Sequence, residues 1–157
     1  MLVIDGYNVL AFEAPDPEHI LATIPKARLV EDVDGHDFMT VPHHVDAVRI
    51  LRNLGFDAPS PILHHYDWPG RWTPFAHQEK TSAFLTLNQR ALVLNEIGTG
   101  KSLSALWAAD YLMELGLIRR VLIVSPLSTL ERVWADEIYK NFLHRSCLLY
   151  TSDAADD

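Results

Sequence analysis

The sequence predicts an α/β protein in two parts: a partial parallel sheet with its helices over residues 74–146, and a small α/β unit ahead of it over residues 1–60. Three observations predict this. The apolar run Ala91, Leu92, Val93, Leu94 passes into a glycine-bearing stretch, residues 95–102, and then into an apolar helical stretch; strand, loop, helix is the order of a β-α unit. A second apolar run, residues 121–124, follows that helix and is stopped by Ser125 and Pro126, which makes a second β-α unit of a buried parallel sheet. Residues 1–60 instead alternate short apolar runs with turn residues, the pattern of hairpins.

In chain order, residues 2–4 and 9–12 flank Asp5, Gly6, Tyr7 and Asn8, a first hairpin. Residues 17–24 suit a short helix. Residues 28–33 and 37–41 flank Asp34 and Gly35, the Asp-Gly signal of a second hairpin. Val45, Val48, Ile50, Leu51 and Leu54 recur at helical spacing, with Gly55 as the stop. Pro59, Pro61, Pro69, Gly70 and Pro74, interleaved with Tyr66, Trp68 and Trp72, mark residues 61–73 as a connector that packs its rings on the next lobe. Stacking on nucleotide bases is the functional alternative for those rings. Residues 74–87 read as a helix capped by Thr73 with Pro74 at its first position. Residues 102–115 form an apolar helix ended by Gly116. Ser128 and Glu131 have capping-box spacing, ahead of a helix with the stripe Leu130, Val133, Trp134, Ile138 and Phe142.

Net charge is −8 over 157 residues, divided unevenly: −7 in residues 1–70, +2 in residues 71–146 and −3 in the remainder. That is not the basic footprint of a stand-alone nucleic-acid binder, so contact with DNA must be local. No apolar run nears the roughly 20 residues that span a bilayer, and the start lacks the basic region of a signal peptide; no membrane partner and a cytoplasmic setting are expected. His43, His44, His64, His65 and His77 occur as adjacent pairs or alone, without zinc-helix spacing, and are expected as surface or capping residues. Residues 147–157 read as the translation of a common transposase sequencing adapter. The native chain is therefore expected to be cut near Ser146, and the sole cysteine, Cys147, falls inside that tail.

The chemistry concentrates at residues 95–102. Gly98 and Gly100 let backbone N–H groups approach phosphate oxygens, and the helix N-terminus that follows adds donors and partial positive charge. Lys101 is placed to reach the β- and γ-phosphates, and Ser102 to bind Mg²⁺. The pattern Gly-x-x-x-x-Gly-Lys-[Ser/Thr] is complete except that Asn95 stands where its first glycine belongs. One helix upstream, Gln78 carries an amide that can both accept from and donate to an adenine edge. Ligands of parallel sheets lie beyond the strand C-termini, where Lys101 and Ser125 both fall.

With these pieces in place, residues 75–142 resemble the first RecA-like lobe of superfamily 2 helicases, closest to the Swi/Snf-type branch and its phage-encoded relatives. Phe75, His77 and Gln78 look like the adenine-reading Q motif. Asn95, Glu96, Gly98, Thr99, Gly100, Lys101 and Ser102 look like motif I, and that branch tolerates a non-glycine where Asn95 stands. Residues 121–127, followed by Trp134, look like motif Ia, which in that family touches the DNA backbone. The resemblance implies a P-loop NTPase that binds ATP with Mg²⁺. It assigns Phe75, Gln78, Glu96, Gly98, Thr99, Gly100, Lys101 and Ser102 to the nucleotide, Lys101 to catalysis, and Ser125 and Pro126 to nucleic acid, DNA rather than RNA. Residues 1–60 would be an accessory domain.

The Asp-Glu box and the second lobe with its arginine fingers are missing after motif Ia. The protein is thus expected to be the N-terminal part of an ATP-dependent helicase or translocase, itself without appreciable turnover. A non-hydrolysing nucleic-acid adaptor of the same fold and a small-molecule P-loop kinase are the competing readings; Gln78 and the Ser125-Pro126 block argue against the second.

Overall fold

The structure, a computed structural model, describes residues 1–4, 6–31, 35–148 and 150. Asp5, Asp32, Val33 and Asp34, which belong to the two expected hairpins, lie outside the described residues, as do Leu149 and residues 151–157 of the adapter-like tail. The protein is a mixed α/β chain of two compact units, residues 1–66 with 86–89, and residues 67–85 with 90–157.

The first unit is built on a four-stranded antiparallel sheet of order β1-β2-β4-β3: β1 Leu2–Ile4, β2 Val9–Phe12, β3 Arg28–Glu31 and β4 Asp37–Pro42. Both expected hairpins are present, β1 with β2 and β3 with β4. Because alternate side chains of a strand face opposite sides, Leu10 and Phe12 of β2 and Met39 and Val41 of β4 turn to one face. There they lie directly opposite one another, Leu10 across from Val41 and Phe12 across from Met39. Two helices supply the rest of this core: α1, Pro17–Thr23, through Ile20, and α2, Val45–Asn53, through Val45, Val48 and Leu51. Asp16 caps α1 by accepting from the His19 N–H at 3.1 Å, with Pro17 in the first turn. His44 caps α2 by accepting from the Ala47 N–H at 3.2 Å, the capping role expected of one histidine. Gly55 ends α2, its N–H bonded to Arg52 O while the Phe56 N–H reaches Leu51 O.

His43 departs from the expectation of a surface residue: it is buried at 3 % exposure. Its Nε2 lies 3.0 Å from Pro59 O and its Nδ1 2.8 Å from His65 Nε2. A carbonyl only accepts, so His43 carries its proton on Nε2, and His65 Nε2–H donates to Nδ1. Residues 59–65 are tied to the start of α2 in this way, and within them α3, Ile62–His65, buries Ile62. Arg49 of α2 donates from Nη2 to Thr86 O and from Nε to Leu87 O, at 2.8 and 3.0 Å, satisfying carbonyls at the end of a helix that begins in the second unit.

That helix is α4, Ala76–Leu87, and with α5, Lys101–Glu114, it frames the second unit. Small residues let the two approach: the buried Ser82 hydroxyl lies 2.9 Å from both Gln78 O and Ser104 O, donating to one at a time. Trp107 of α5, wholly buried, donates its indole N–H to Pro69 O at 2.9 Å and meets Trp68 edge-on, the centroids 5.6 Å apart. One connector ring docks on the following unit as expected, Trp68 on α5, whereas Tyr66, 7 % exposed, is buried within the first unit and Trp72 stays 63 % exposed. Gly116 closes α5, the Leu117 N–H bonding Leu112 O.

Three expectations for this unit are corrected, and the expected parallel sheet is not shown among the described residues. Residues 91–94 and 121–124 form no ladder among the described residues, and Leu92, Leu94, Leu122 and Val124 are 76–89 % exposed. The observed sheet is antiparallel and lies in the first unit, because a strand exists only with a partner for its N–H and C=O groups and the described residues bring none to these runs. Helix α4 starts at Ala76, not Pro74. Phe75 O accepts the first helical bonds, from Gln78 N and Glu79 N, so Phe75 and not Thr73 caps it. The Ser128–Glu131 capping box is also absent. Helix α6, Leu127–Thr129, begins ahead of Ser128, and Ser125 Oγ instead meets Thr129 Oγ1 at 2.5 Å. Finally, no single helix carries the expected stripe: a π-helical turn, Leu130–Ala135, separates α6 from α7, Asp136–Asn141. Val133 is 36 % exposed while Phe142 is buried at 3 %. No helix among the described residues is long and apolar enough to cross a membrane.

Candidate functional site

Between residue 94 and α5 the chain makes a tight glycine loop. Gly98 and Gly100 take φ values of +82° and +73°, a left-handed conformation that any side chain resists. Gly100 occupies the position before α5 and has no side chain to cap it. The first-turn N–H groups of that helix are consequently left for an acceptor outside the helix. Thr99 Oγ1 braces the loop by donating to Glu96 O at 2.9 Å. Lys101 curls back over it, Nζ donating to Glu96 O at 2.7 Å and to Asn95 O at 3.0 Å. The ammonium is thereby held beside the loop amides on the carbonyls of its own loop.

Asn95, the departure from the glycine pattern, has a local task. Its Nδ2 donates to Thr81 Oγ1 at 2.9 Å, and Thr81 Oγ1 donates in turn to His77 O at 2.8 Å. The start of the loop is so pinned to α4, a bond that a glycine could not make.

The same helix reaches the far side of the loop. Gln78 Oε1 accepts from the Phe75 N–H at 2.9 Å, and Gln78 Nε2 and His77 Nε2 donate to Thr99 O at 3.4 and 3.1 Å. Phe75 and His77 stack, their rings 10° from parallel and 5.7 Å apart. Phe75, Gln78, Gly98, Gly100, Lys101 and Ser102, all named from the sequence, line one cleft of about 490 Å³, a size in the range of small-molecule sites, roughly 300–1,000 Å³. Glu96 and Thr99 do not line it; their carbonyls accept from Lys101 and His77. Ser125 and Pro126 do not line it either.

Trp72, for which base stacking was the functional alternative, lines the cleft, and four further lining residues carried no site signal in the sequence: Thr73, Leu103, Val133 and Glu137. Val133 and Glu137 come from the π-helical turn and α7, some 35 residues past the loop. Trp72 follows Arg71, whose N–H donates to Asn141 Oδ1 at 3.0 Å, and that buried asparagine also donates from Nδ2 to Glu137 Oε2 at 2.7 Å.

Chemically the cleft offers one lysine ammonium, a helix N-terminus, a serine hydroxyl beside it and an aromatic rim, a combination suited to an anion with an apolar appendage. No cluster of three or more His, Cys, Asp or Glu that could hold a metal ion occurs among the described residues, so a cation here would need oxygens brought by the ligand. Comparison of the chain with models of protein families, with curated proteins and with solved structures finds no match in any of the three.

Proposed function

We propose that residues 74–146 are the nucleotide-binding part of the first RecA-like lobe of a superfamily 2 ATPase of the Swi/Snf-type branch. The protein would bind ATP through residues 95–102 and couple its hydrolysis to movement on nucleic acid, DNA rather than RNA. One observation carries the reading: Gln78 of α4 and Phe75, which caps that helix, line the same cleft as Lys101, with Gln78 bonded to the loop before it. Two segments, each resembling a separate nucleotide motif, meet at one cleft.

The residues present fit the ligand. Lys101 is pre-positioned on loop carbonyls, from which it can turn to phosphate oxygens as a point charge. The α5 N-terminus supplies backbone donors. Ser102 would complete the coordination of Mg²⁺, which is bound by few protein groups and chiefly by phosphate oxygens. When bound, that ion neutralises charge on the β- and γ-phosphates. In this reading residues 91–94 and 121–124 are strands of the parallel sheet of a complete lobe, and the exposed Leu92, Leu94, Leu122 and Val124 are the side chains such strands bury. Ser125 and Pro126, after the second run, would touch the nucleic-acid backbone.

Turnover of ATP in this reading also needs a metal-binding acidic box and the arginines of a second lobe, so binding is the property to test on these residues. Calorimetric titration of MgATP into the chain and into its Lys101→Ala variant tests the assignment. Saturable binding that the variant loses by tenfold or more is expected; equal affinities would end it.

A further inference from the structure

We infer that Thr81, which lies outside the cleft, is a positioning residue for the phosphate loop: it holds Asn95 and, through Asn95, the seat of Lys101. The inference rests on the nucleotide-binding reading above and deepens it, naming what sets the loop before a nucleotide arrives.

Thr81 lies on α4 at 9 % exposure, and neither it nor Asn95 lines the cleft. A threonine inside a helix commonly gives its hydroxyl proton to the carbonyl one turn back. Thr81 does so, donating to His77 O at 2.8 Å. With its one proton committed, Oγ1 can only accept from a further partner. That partner is Asn95 Nδ2, at 2.9 Å. The acceptor is thus fixed in direction by its own helix, and the amide donor of Asn95 matches it.

Asn95 carries the restraint into the site from its other end. Its backbone O accepts from Lys101 Nζ at 3.0 Å, beside Glu96 O at 2.7 Å. One residue therefore faces α4 with its side chain and the ammonium with its carbonyl. The backbone at residue 95 does not take a positive φ, so nothing in its conformation calls for the glycine of the general pattern. The side chain is what the position uses.

The same turn of α4 holds the far end of the loop, where His77 Nε2 donates to Thr99 O at 3.1 Å. Residues 95 and 99 are bracketed in this way by residues 77–81. A loop already ordered loses less conformational freedom when a ligand binds, which favours affinity.

The test is calorimetric titration of MgATP and of magnesium tripolyphosphate into the 157-residue chain, its Thr81→Val, Thr81→Ser, Asn95→Ala and Lys101→Ala variants, and the double variant of Thr81→Val with Asn95→Ala. Thr81→Val and Asn95→Ala should each weaken both ligands by about fivefold, the worth of one such hydrogen bond. The double variant should lose about the same fivefold and not the product, because the two changes break one bond. Thr81→Ser keeps the hydroxyl and its bond one turn back, and should bind within about twofold of the wild type. Asn95 is exposed, so Asn95→Ala carries the test by itself if Thr81→Val does not fold. Wild-type affinities in Asn95→Ala, a double variant weakened by the product, or Thr81→Ser as weak as Thr81→Val would overturn the positioning role while Lys101→Ala still loses binding. Failure of both ligands to bind the wild-type chain, or undiminished binding by Lys101→Ala, sinks the underlying nucleotide reading and this inference with it.

Discussion

Gln78 and Gly100 interlock: the glutamine amide occupies the space that a Cβ at Gly100 would fill, and Gly100 holds a φ of +73° where any side chain is strained. The close approach fixes the distance between α4 and the loop that opens α5. Gly100 is therefore required twice, once by its backbone conformation and once by its neighbour.

Replacing Gly100 by alanine should destabilise the second unit by about 1–3 kcal/mol, combining left-handed strain with the steric overlap. The two causes separate in a double-mutant cycle. Gln78→Ala removes the overlap but not the strain, so the double variant should be more stable than the sum of the single losses predicts. Urea unfolding followed by circular dichroism measures this, and strict additivity would show that the overlap has no energetic weight.

His43 makes the first unit sensitive to acid. Burial, with the nearby His65, His64 and His44 adding to it and the hydrogen bond to Pro59 O opposing, lowers its pKa from 6.5 to about 4. The unfolded chain thus binds the proton more readily than the folded one between those values. Stability is highest above pH 6.5 and falls as pH drops toward 4, by up to about 3 kcal/mol from this group. Protonation of Nδ1 also removes the acceptor that His65 uses. His43→Gln, which keeps a donor for Pro59 O, should flatten the dependence. Urea midpoints at pH 7.5, 6 and 5 report the slope; a His43→Gln chain with the wild-type slope would relocate the effect to other groups.

Local signals were legible and ladder-dependent ones were not. The hairpin of Leu2–Ile4 with Val9–Phe12 follows from alternation and turn residues within a dozen positions. The end of α5 at Gly116 is written by one residue. Residues 91–94 have the composition of a buried strand, but a strand needs partners from elsewhere in the chain, and the described residues supply none. Thr73 and Pro74 carry the usual signature of a helix start. Phe75 caps α4 nonetheless, because Gln78 reaches back to its N–H; a glutamine three residues after a cap was a signal present in the sequence. The phosphate-loop half of the cleft was legible because it is contiguous. Val133 and Glu137 reach it only through folding, and spacing gives no hint of that.

Asp110 separates buried from exposed ion pairing within one unit. Its carboxylate, on α5 and 5 % exposed, accepts from Arg145 Nε at 2.6 Å and His144 Nε2 at 2.9 Å. Through these bonds the segment after α7 is held to the helix. Lys140 and Asp136 form a pair of similar length, 2.8 Å, but both side chains are about half exposed. Asp110→Asn keeps the shape and loses the charge, so two charge-assisted bonds weaken around a group that water cannot reach; a loss of about 1–3 kcal/mol follows. Lys140→Ala should cost only about 0.3–0.5 kcal/mol, as helical pairs in water do. Salt sharpens the contrast. Raising ionic strength to about 1 M shortens screening to about 3 Å and should erase the Lys140 effect while sparing most of the Asp110 effect. Amide exchange supplies a local readout: the Arg145 N–H, bonded to Phe142 O at 2.9 Å, should exchange faster in Asp110→Asn and at the wild-type rate in Lys140→Ala. Equal losses in the two variants, equally screened by salt, would mean that Asp110 is solvated in solution and does not anchor the segment.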